Sequence, residues 1–236
     1  MDFQPAFVLH VRPYRESSQL AELFCEETGR LTVVARGSRS MRSSSKALLQ
    51  PFLPLQVTWR GQGELKSLDK IEALAAAPRF QERHLYSALY LNELLYYLLE
   101  PHTEYRELFD YYRQTLALLA TSAQPEPVLR QFELLLLEGL GYGVDFRFDA
   151  QSGEEIRAEC HYHFLGENGF VKAESSSGGP LFCGRELLAM ADGAFEDASV
   201  LQVAKRFCRL ALQPYLGNRP LKSRELFQQL SARSKW

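Results

Sequence analysis

Along residues 1–78 apolar side chains fall into short runs and alternations, and beyond Pro78 they recur at helical spacing. Residues 6–12 (AFVLHVR) form a β-rich run that Pro13 is expected to end, and residues 20–25 continue in the same style. Thr28, Gly29 and Arg30 signal a turn into a third strand over 31–35. Residues 55–60 (LQVTWR) alternate strictly, with Leu55, Val57 and Trp59 on one face and Gln56, Thr58 and Arg60 on the other. Gly61 and Gly63 then turn the chain into a strand over 64–71. Five short strands in so few residues suit a small β-barrel, of which the OB-fold is the commonest at this size. Residues 37–45 (GSRSMRSSS) hold too little apolar surface to pack and are expected to be a mobile loop.

In residues 82–100 Leu85, Leu89, Leu91, Leu94 and Leu95 lie at helical spacings, and Pro101 stops the pattern. A second helix over 104–120 carries Leu108, Tyr112, Leu116 and Leu119 along one stripe. Pro127 fits the first turn of a third, which ends at Gly141. Residues 143–184 are glycine- and serine-rich and read as a loop insert with short strands such as 161–165. Ser199 is expected to open the next helix, with Gln202 at the capping-box position, and Pro214 and Gly217 to end it before a last helix over 222–230. The fold class is α+β: an OB-fold barrel over 1–78, then a helical domain over 79–236 that contains the insert.

Composition adds little until charge is mapped. With 46% apolar and 24% charged residues the chain is of ordinary globular type. No stretch approaches the roughly 18–20 apolar residues of a bilayer span. The opening MDFQP lacks a basic and then apolar leader, so a cytoplasmic location is expected. Cys25, Cys160, Cys183 and Cys208 form no Cys-x-x-Cys pair and are expected to be mostly buried thiols. The net charge of −2 conceals a strong segregation. Arg36, Arg39, Arg42 and Lys46 occur without an acid among them, and from Lys205 onward Glu225 is the only acid among eight cations. Acids gather in the middle, at positions such as Glu104, Glu107, Glu126 and Glu133. Separated charge of this kind steers polyanions to particular faces.

The serine-interleaved cations of 36–46 can offer guanidinium groups and hydroxyls to phosphate oxygens. OB barrels hold single strands by letting charge follow the backbone while aromatics stack on bases, and Phe7, Tyr14, Phe52 and Trp59 are the aromatics available. Trp59, by its alternation, is expected in the core. Lys205, Arg206 and Arg209, followed by Arg219, Lys222 and Arg224, suit a second DNA patch, a dock for an acidic peptide or a solvated face. Cys160, His161, His163 and Cys183 have zinc-ligand chemistry, but adjacent Cys160 and His161 converge poorly on one ion, so no metal is expected. No phosphate-binding loop, nucleophile elbow or His-Glu-x-x-His helix is present. The carboxylate pairs Glu26–Glu27 and Glu154–Glu155 are sequence neighbours that read as solvated acids, and His10, His84 and His102 have no adjacent nucleophile. A non-enzyme is expected.

Taken in order, these segments resemble the bacterial RecO family of DNA-repair proteins. AFVLHVRPYRESS (6–18) resembles its first strand and turn, TGRLTVVARGSR (28–39) its glycine–arginine signature, and LQPFLPL (49–55) the run that follows. YLNELL (90–95), PVLRQFELLLLEGLGY (127–142), PYLG (214–217) and PLKSREL (220–226) resemble its helical motifs. The resemblance implies a zinc-finger-like insert, but only Cys160 and Cys183 stand where many members carry four cysteines, so no cofactor is expected. It implies binding of single- and double-stranded DNA and annealing of strands coated by single-strand binding protein (SSB). It further implies a role with RecR in loading RecA, by a protein that acts as a monomer near the nucleoid. Arg36, Arg39, Arg42 and Lys46, with Arg12 and Arg15, are carried over as DNA contacts. The acidic, apolar-ended SSB tail needs cations beside a greasy groove, for which Arg130, Phe132, Lys205, Arg206 and Arg209 are the candidates. The rival class is an adaptor whose barrel binds a protein, and a metal-dependent nuclease is disfavoured by the absence of clustered acids.

Overall fold

The computed structural model describes residues 2–40, 44–173 and 179–233. It forms two compact units: one runs to Pro125 and resumes at Asn218, and the other spans Glu126–Gly217. The last strand of the first unit ends at Ala73, and this unit also takes in the two helices that follow and the C-terminal helix.

In the first unit β1 (Gln4–Tyr14), β2 (Ser18–Cys25), β3 (Gly29–Ala35), β4 (Leu55–Arg60) and β5 (Lys66–Ala73) close a barrel in the order β1-β2-β3-β5-β4. All its pairings are antiparallel except β3 with β5. That closed five-strand order, with a short helix α1 (Ser44–Leu48) between β3 and β4, is OB-like. Alternation places Leu31, Val33 and Ala35 of β3 and Leu55, Val57 and Trp59 of β4 in the barrel core, with Leu49 and Leu53 after α1 packed into the same cluster.

β1 runs past Pro13 to Tyr14 because Pro13, which has no N–H to give, sits beside the turn end of the β1–β2 hairpin. A register shift between Val8 and His10 moves the inward face from Ala6 and Val8 to Val11. Residues 6–9 are all buried, since the outer face of β1 is covered as well. The cover is α2 (Glu82–Leu98) and α3 (Arg106–Thr121). Phe109 of α3 lies 5.5 Å from Phe7 and 5.2 Å from Phe24, ring centroid to centroid. Asn92 of α2 donates to the carbonyls of Val8 and Leu9 at the bulge, at 3.1 and 3.3 Å. The last helix of this unit, α7 (Lys222–Arg233), is fastened to α2 by Glu93. That carboxylate accepts from the Lys222 and Ser223 amides at 2.8 and 3.1 Å and from the Ser223 hydroxyl at 2.6 Å.

The second unit holds most of α4 (Pro125–Gly139), a three-stranded sheet of β6 (His161–Phe164), β7 (Phe170–Lys172) and β8 (Leu181–Cys183), then α5 (Gly184–Ala191) and α6 (Ala198–Leu216). Its core is aromatic: Phe164, Phe170 and Phe182 of the sheet surround Phe207 of α6, with centroids 5.0, 5.6 and 6.3 Å from it. The N-cap of α6 is Asp197, which accepts from the Ser199 amide at 2.7 Å, and not Ser199 itself. A carboxylate at this position takes over the role expected of the Ser199 hydroxyl.

Candidate nucleic-acid interface

The basic segment after β3 is a docked turn rather than a free loop over its described part. Ser38 is fully buried, and its hydroxyl donates to the Ala35 carbonyl at 2.8 Å. The Arg39 amide donates to the Ser17 carbonyl at 3.0 Å. Its guanidinium Nη1 reaches the carbonyls of Arg15 and Glu16 at 3.1 and 3.0 Å. The turn leaving β3 is thereby tied to the β1–β2 turn, and α1 begins soon after. Small serines and a glycine with φ of 65° at Gly37 allow the chain to fold this tightly, which a reading of composition alone misses.

One consequence is a shared cationic rim on the barrel. Arg12 and Arg15 come from β1 and its turn, Arg36 and Arg39 from the turn after β3; all four are exposed, as is Lys46 on α1. Arg42 lies outside the described residues. Arg15 sits at φ 51° with its guanidinium 5.2 Å from the Tyr14 ring, which is half-buried. The aromatics do not form the expected stacking platform. Phe7, Phe52 and Trp59 are buried, Trp59 in the barrel core as its alternation predicts, and Phe7 under α3. Tyr14 alone of the four remains at the surface.

In the second unit the candidate peptide-binding residues separate. Phe132 is fully buried, and Arg130 is buried in an ion pair with Glu133 one turn along α4. Burial raises the Cys208 thiol well above its ordinary range, and the neighbouring Glu133 carboxylate adds to the rise. Arg206 turns towards the sheet: its guanidinium lies 4.1 Å from the Phe182 ring and bonds to the Leu181 carbonyl. Lys205 and Arg209 are exposed. Partial burial lowers the Lys205 pKa, and the positive charges of Arg209 and then Arg130 lower it further, so these three cations share one neighbourhood.

Two of the four zinc-type side chains have other partners. Cys183 caps α5, its thiol 3.6 Å from the Ala158 carbonyl, and the His163 ring bonds to the Gly179 carbonyl at 3.0 Å. Among the described residues no three His, Cys, Asp or Glu side chains converge as a metal site. Cys25 and Cys208 are buried as expected, whereas Cys160 and Cys183 are half-exposed. No helix among the described residues is long and apolar enough to cross a membrane. Two groups escaped the sequence reading: Asn92, a polar residue on a helix stripe, and Glu93, whose partners lie about 130 positions away. Both stand in the YLNELL run (90–95), but nothing local marks the partners they take.

Comparison with known proteins adds an independent finding. Residues 1–77 match the family model for Recombination protein O N terminal, and residues 81–225 that for Recombination protein O C terminal. Over 233 residues the chain is 53% identical to the DNA repair protein RecO of Tolumonas auensis, covering 98% of this chain and 97% of that protein. It is 51% identical over 229 residues to the protein of that name from Pasteurella multocida, covering 97% and 95%. With the Haemophilus influenzae protein the figure is 50% over 228 residues, covering 97% and 96%.

Proposed function

Because the chain belongs to the RecO family of DNA repair proteins, we propose that it is a non-catalytic recombination mediator that binds DNA through the barrel rim. The observation that carries this reading is the docking of the Arg39 turn on the Arg15–Glu16 carbonyls. It gathers Arg12, Arg15, Arg36 and Arg39 from two separate connections, and Lys46 and Arg42 extend the run along the chain. Cations fixed at one end of a barrel engage successive phosphates of a single strand or a duplex without reading sequence.

Annealing follows from the same electrostatics. Two complementary strands repel, and a cationic surface that holds both lowers that repulsion, after which base pairing supplies the free energy. The reaction makes and breaks no covalent bond and needs no nucleotide or metal. The SSB tail docks, on this reading, at Lys205 and Arg209. Arg130 lies buried close by with its charge paired to Glu133, so it and the buried Phe132 support the site from behind, and Arg206 flanks it against Phe182. Drawing SSB away from the strand clears DNA for pairing and, together with RecR, for RecA. The protein works as a monomer in the cytoplasm at the nucleoid.

Annealing of complementary oligonucleotides coated with SSB, intact or lacking its acidic tail, tests this reading. Fast annealing with intact SSB and slow annealing with the truncated form is expected. No acceleration of coated or naked strands at low salt would overturn the mediator and leave a protein-binding adaptor.

A further inference from the structure

The barrel rim supplies charge but little aromatic surface, since only Tyr14 among the candidate stacking residues reaches solvent. A different set of rings lies further along β1. Tyr96, near the end of α2, has its ring 5.4 Å from that of His10 on β1 and 5.1 Å from that of Tyr97. The exposed Arg219, in the segment leading into α7, places its guanidinium 5.4 Å from the Tyr97 ring. Arg30 of β3 stands 5.6 Å from the Tyr96 ring.

We propose that Tyr96, Tyr97 and Arg219, with His10 and Lys222, form a base-stacking extension of the barrel rim that takes single-stranded nucleic acid. The inference rests on the DNA-binding reading of the rim and gives it the stacking element that the buried Phe7, Phe52 and Trp59 do not.

His10 joins this patch to the rim, since it stands two residues from Arg12 on β1 and both are exposed. Burial lowers the pKa of its ring, with Lys222 and Arg12 lowering it further and Glu22 and Glu93 opposing them. Two acids near these rings have partners of their own. Glu22 pairs with Arg30 at 3.6 Å and accepts from Thr32 at 3.0 Å. Glu93 accepts three hydrogen bonds at the start of α7. Arg12, Lys222 and Arg219 are the cations exposed along the patch. A surface with cations along its length and part-exposed rings between them has the composition that single strands require: phosphates follow the charge, and unpaired bases lie on the rings.

A purely structural role would make Tyr97 and Arg219 a clip for the C-terminal segment. That segment is already held by Glu93, by the Tyr86–Phe227 contact at 5.8 Å and by Arg224 at 5.6 Å from the Tyr90 ring. Those groups account for the docking of α7 and leave Arg219 exposed beyond it.

The test compares binding of a 30-nucleotide thymidine strand with binding of a duplex of equal length, for the full chain and for Tyr97→Leu, Tyr97→Phe and Arg219→Gln, by fluorescence anisotropy. Stacking needs unpaired bases, so Tyr97→Leu should weaken the single strand roughly tenfold and leave the duplex within about twofold. Tyr97→Phe should bind both as the unaltered chain does. Arg219→Gln should weaken single-strand binding and make it less steep in salt, and it serves as the readout if Tyr97→Leu melts early. Unchanged single-strand binding by a folded Tyr97→Leu, or equal losses on strand and duplex, would overturn the proposal. If the unaltered chain binds neither probe at low salt, the rim reading itself fails, a result distinct from a defect confined to Tyr97.

Discussion

The hydroxyl of Tyr112 donates to the Oδ1 of Asn92 in a buried junction between α3 and α2, and Asn92 passes its own amide on to the Val8 and Leu9 carbonyls of β1. One side chain thus satisfies a helix and the bulged strand of the barrel at once. Asn92 is 2% exposed and Tyr112 wholly buried, so none of these groups has water to turn to. Asn92→Leu should remove one buried acceptor from the Tyr112 hydroxyl and the amide donated to two carbonyls, at a cost of about 2–4 kcal/mol, and Tyr112→Phe should cost about 1–2 kcal/mol. Urea denaturation of both variants and of the double variant measures this. A double variant less damaged than the sum of the two singles is expected, because they share the lost bond.

Gly29 opens β3 at φ +68°, where the chain after α2 returns to the barrel. A β-carbon there would lie 1.7 Å from the Thr103 carbonyl oxygen, which is backbone and cannot rotate away. The neighbouring contact from the His102 amide to the Arg30 carbonyl, 3.0 Å, depends on the same approach. Gly29→Ala is expected to lose upwards of about 2–3 kcal/mol through combined clash and backbone strain. A thermal midpoint close to that of the unaltered protein would refute this.

These two junctions also mark where sequence reading stops. Alternation in 31–35 and 55–60 names the inward residues of β3 and β4, and leucine periodicity after Pro78 names helices, because both signals are local. In β1 the bulge near Leu9 and the cover of α2 and α3 bury both faces, so alternation cannot say which of Phe7 and Val8 is free to meet a ligand. It also cannot show that Arg39 holds the Arg15 turn, since that depends on residues more than twenty positions away. The charges of 36–46 were legible as a group, and the turn that brings Arg36 and Arg39 to Arg12 and Arg15 was not.

Arg36 separates charge from structure at the rim. Its side chain is exposed, whereas Arg39 also holds two carbonyls of the neighbouring turn. Arg36→Gln should keep the fold and weaken oligonucleotide binding, with the slope of log affinity against log salt shallower by about 0.7 for a single strand if one phosphate contact is lost. Arg39→Gln should both weaken binding and lower the thermal midpoint. Equal salt slopes for Arg36→Gln and the unaltered chain would remove Arg36 from the interface.

In the second unit a buried carboxylate makes stability depend on pH. Asp149 accepts from the amides of Gln151 and Ser152 at 2.9 and 2.8 Å and from that of Lys172 on β7 at 2.6 Å. Burial pushes its pKa up, but the backbone amides of Ser152, Lys172 and Gln151 outweigh burial and hold it below the ordinary 3.8. A carboxyl depressed on folding stabilises the native state fully above its unfolded pKa, and that contribution disappears as pH falls through the lower folded value. Asp149→Asn removes this titration, leaves every other acid in place and still offers one acceptor oxygen. At neutral pH the variant should be less stable by about 1–3 kcal/mol, since amides lose a charged acceptor. The gap between the two proteins should stay constant down to about the unfolded carboxyl value and close below it, as the protonated Asp149 comes to resemble the amide. Thermal midpoints of both proteins from pH 7 down to acid measure the gap. A difference that persists unchanged at the lowest pH would mean that the amides around Asp149 hold its shape and not its charge.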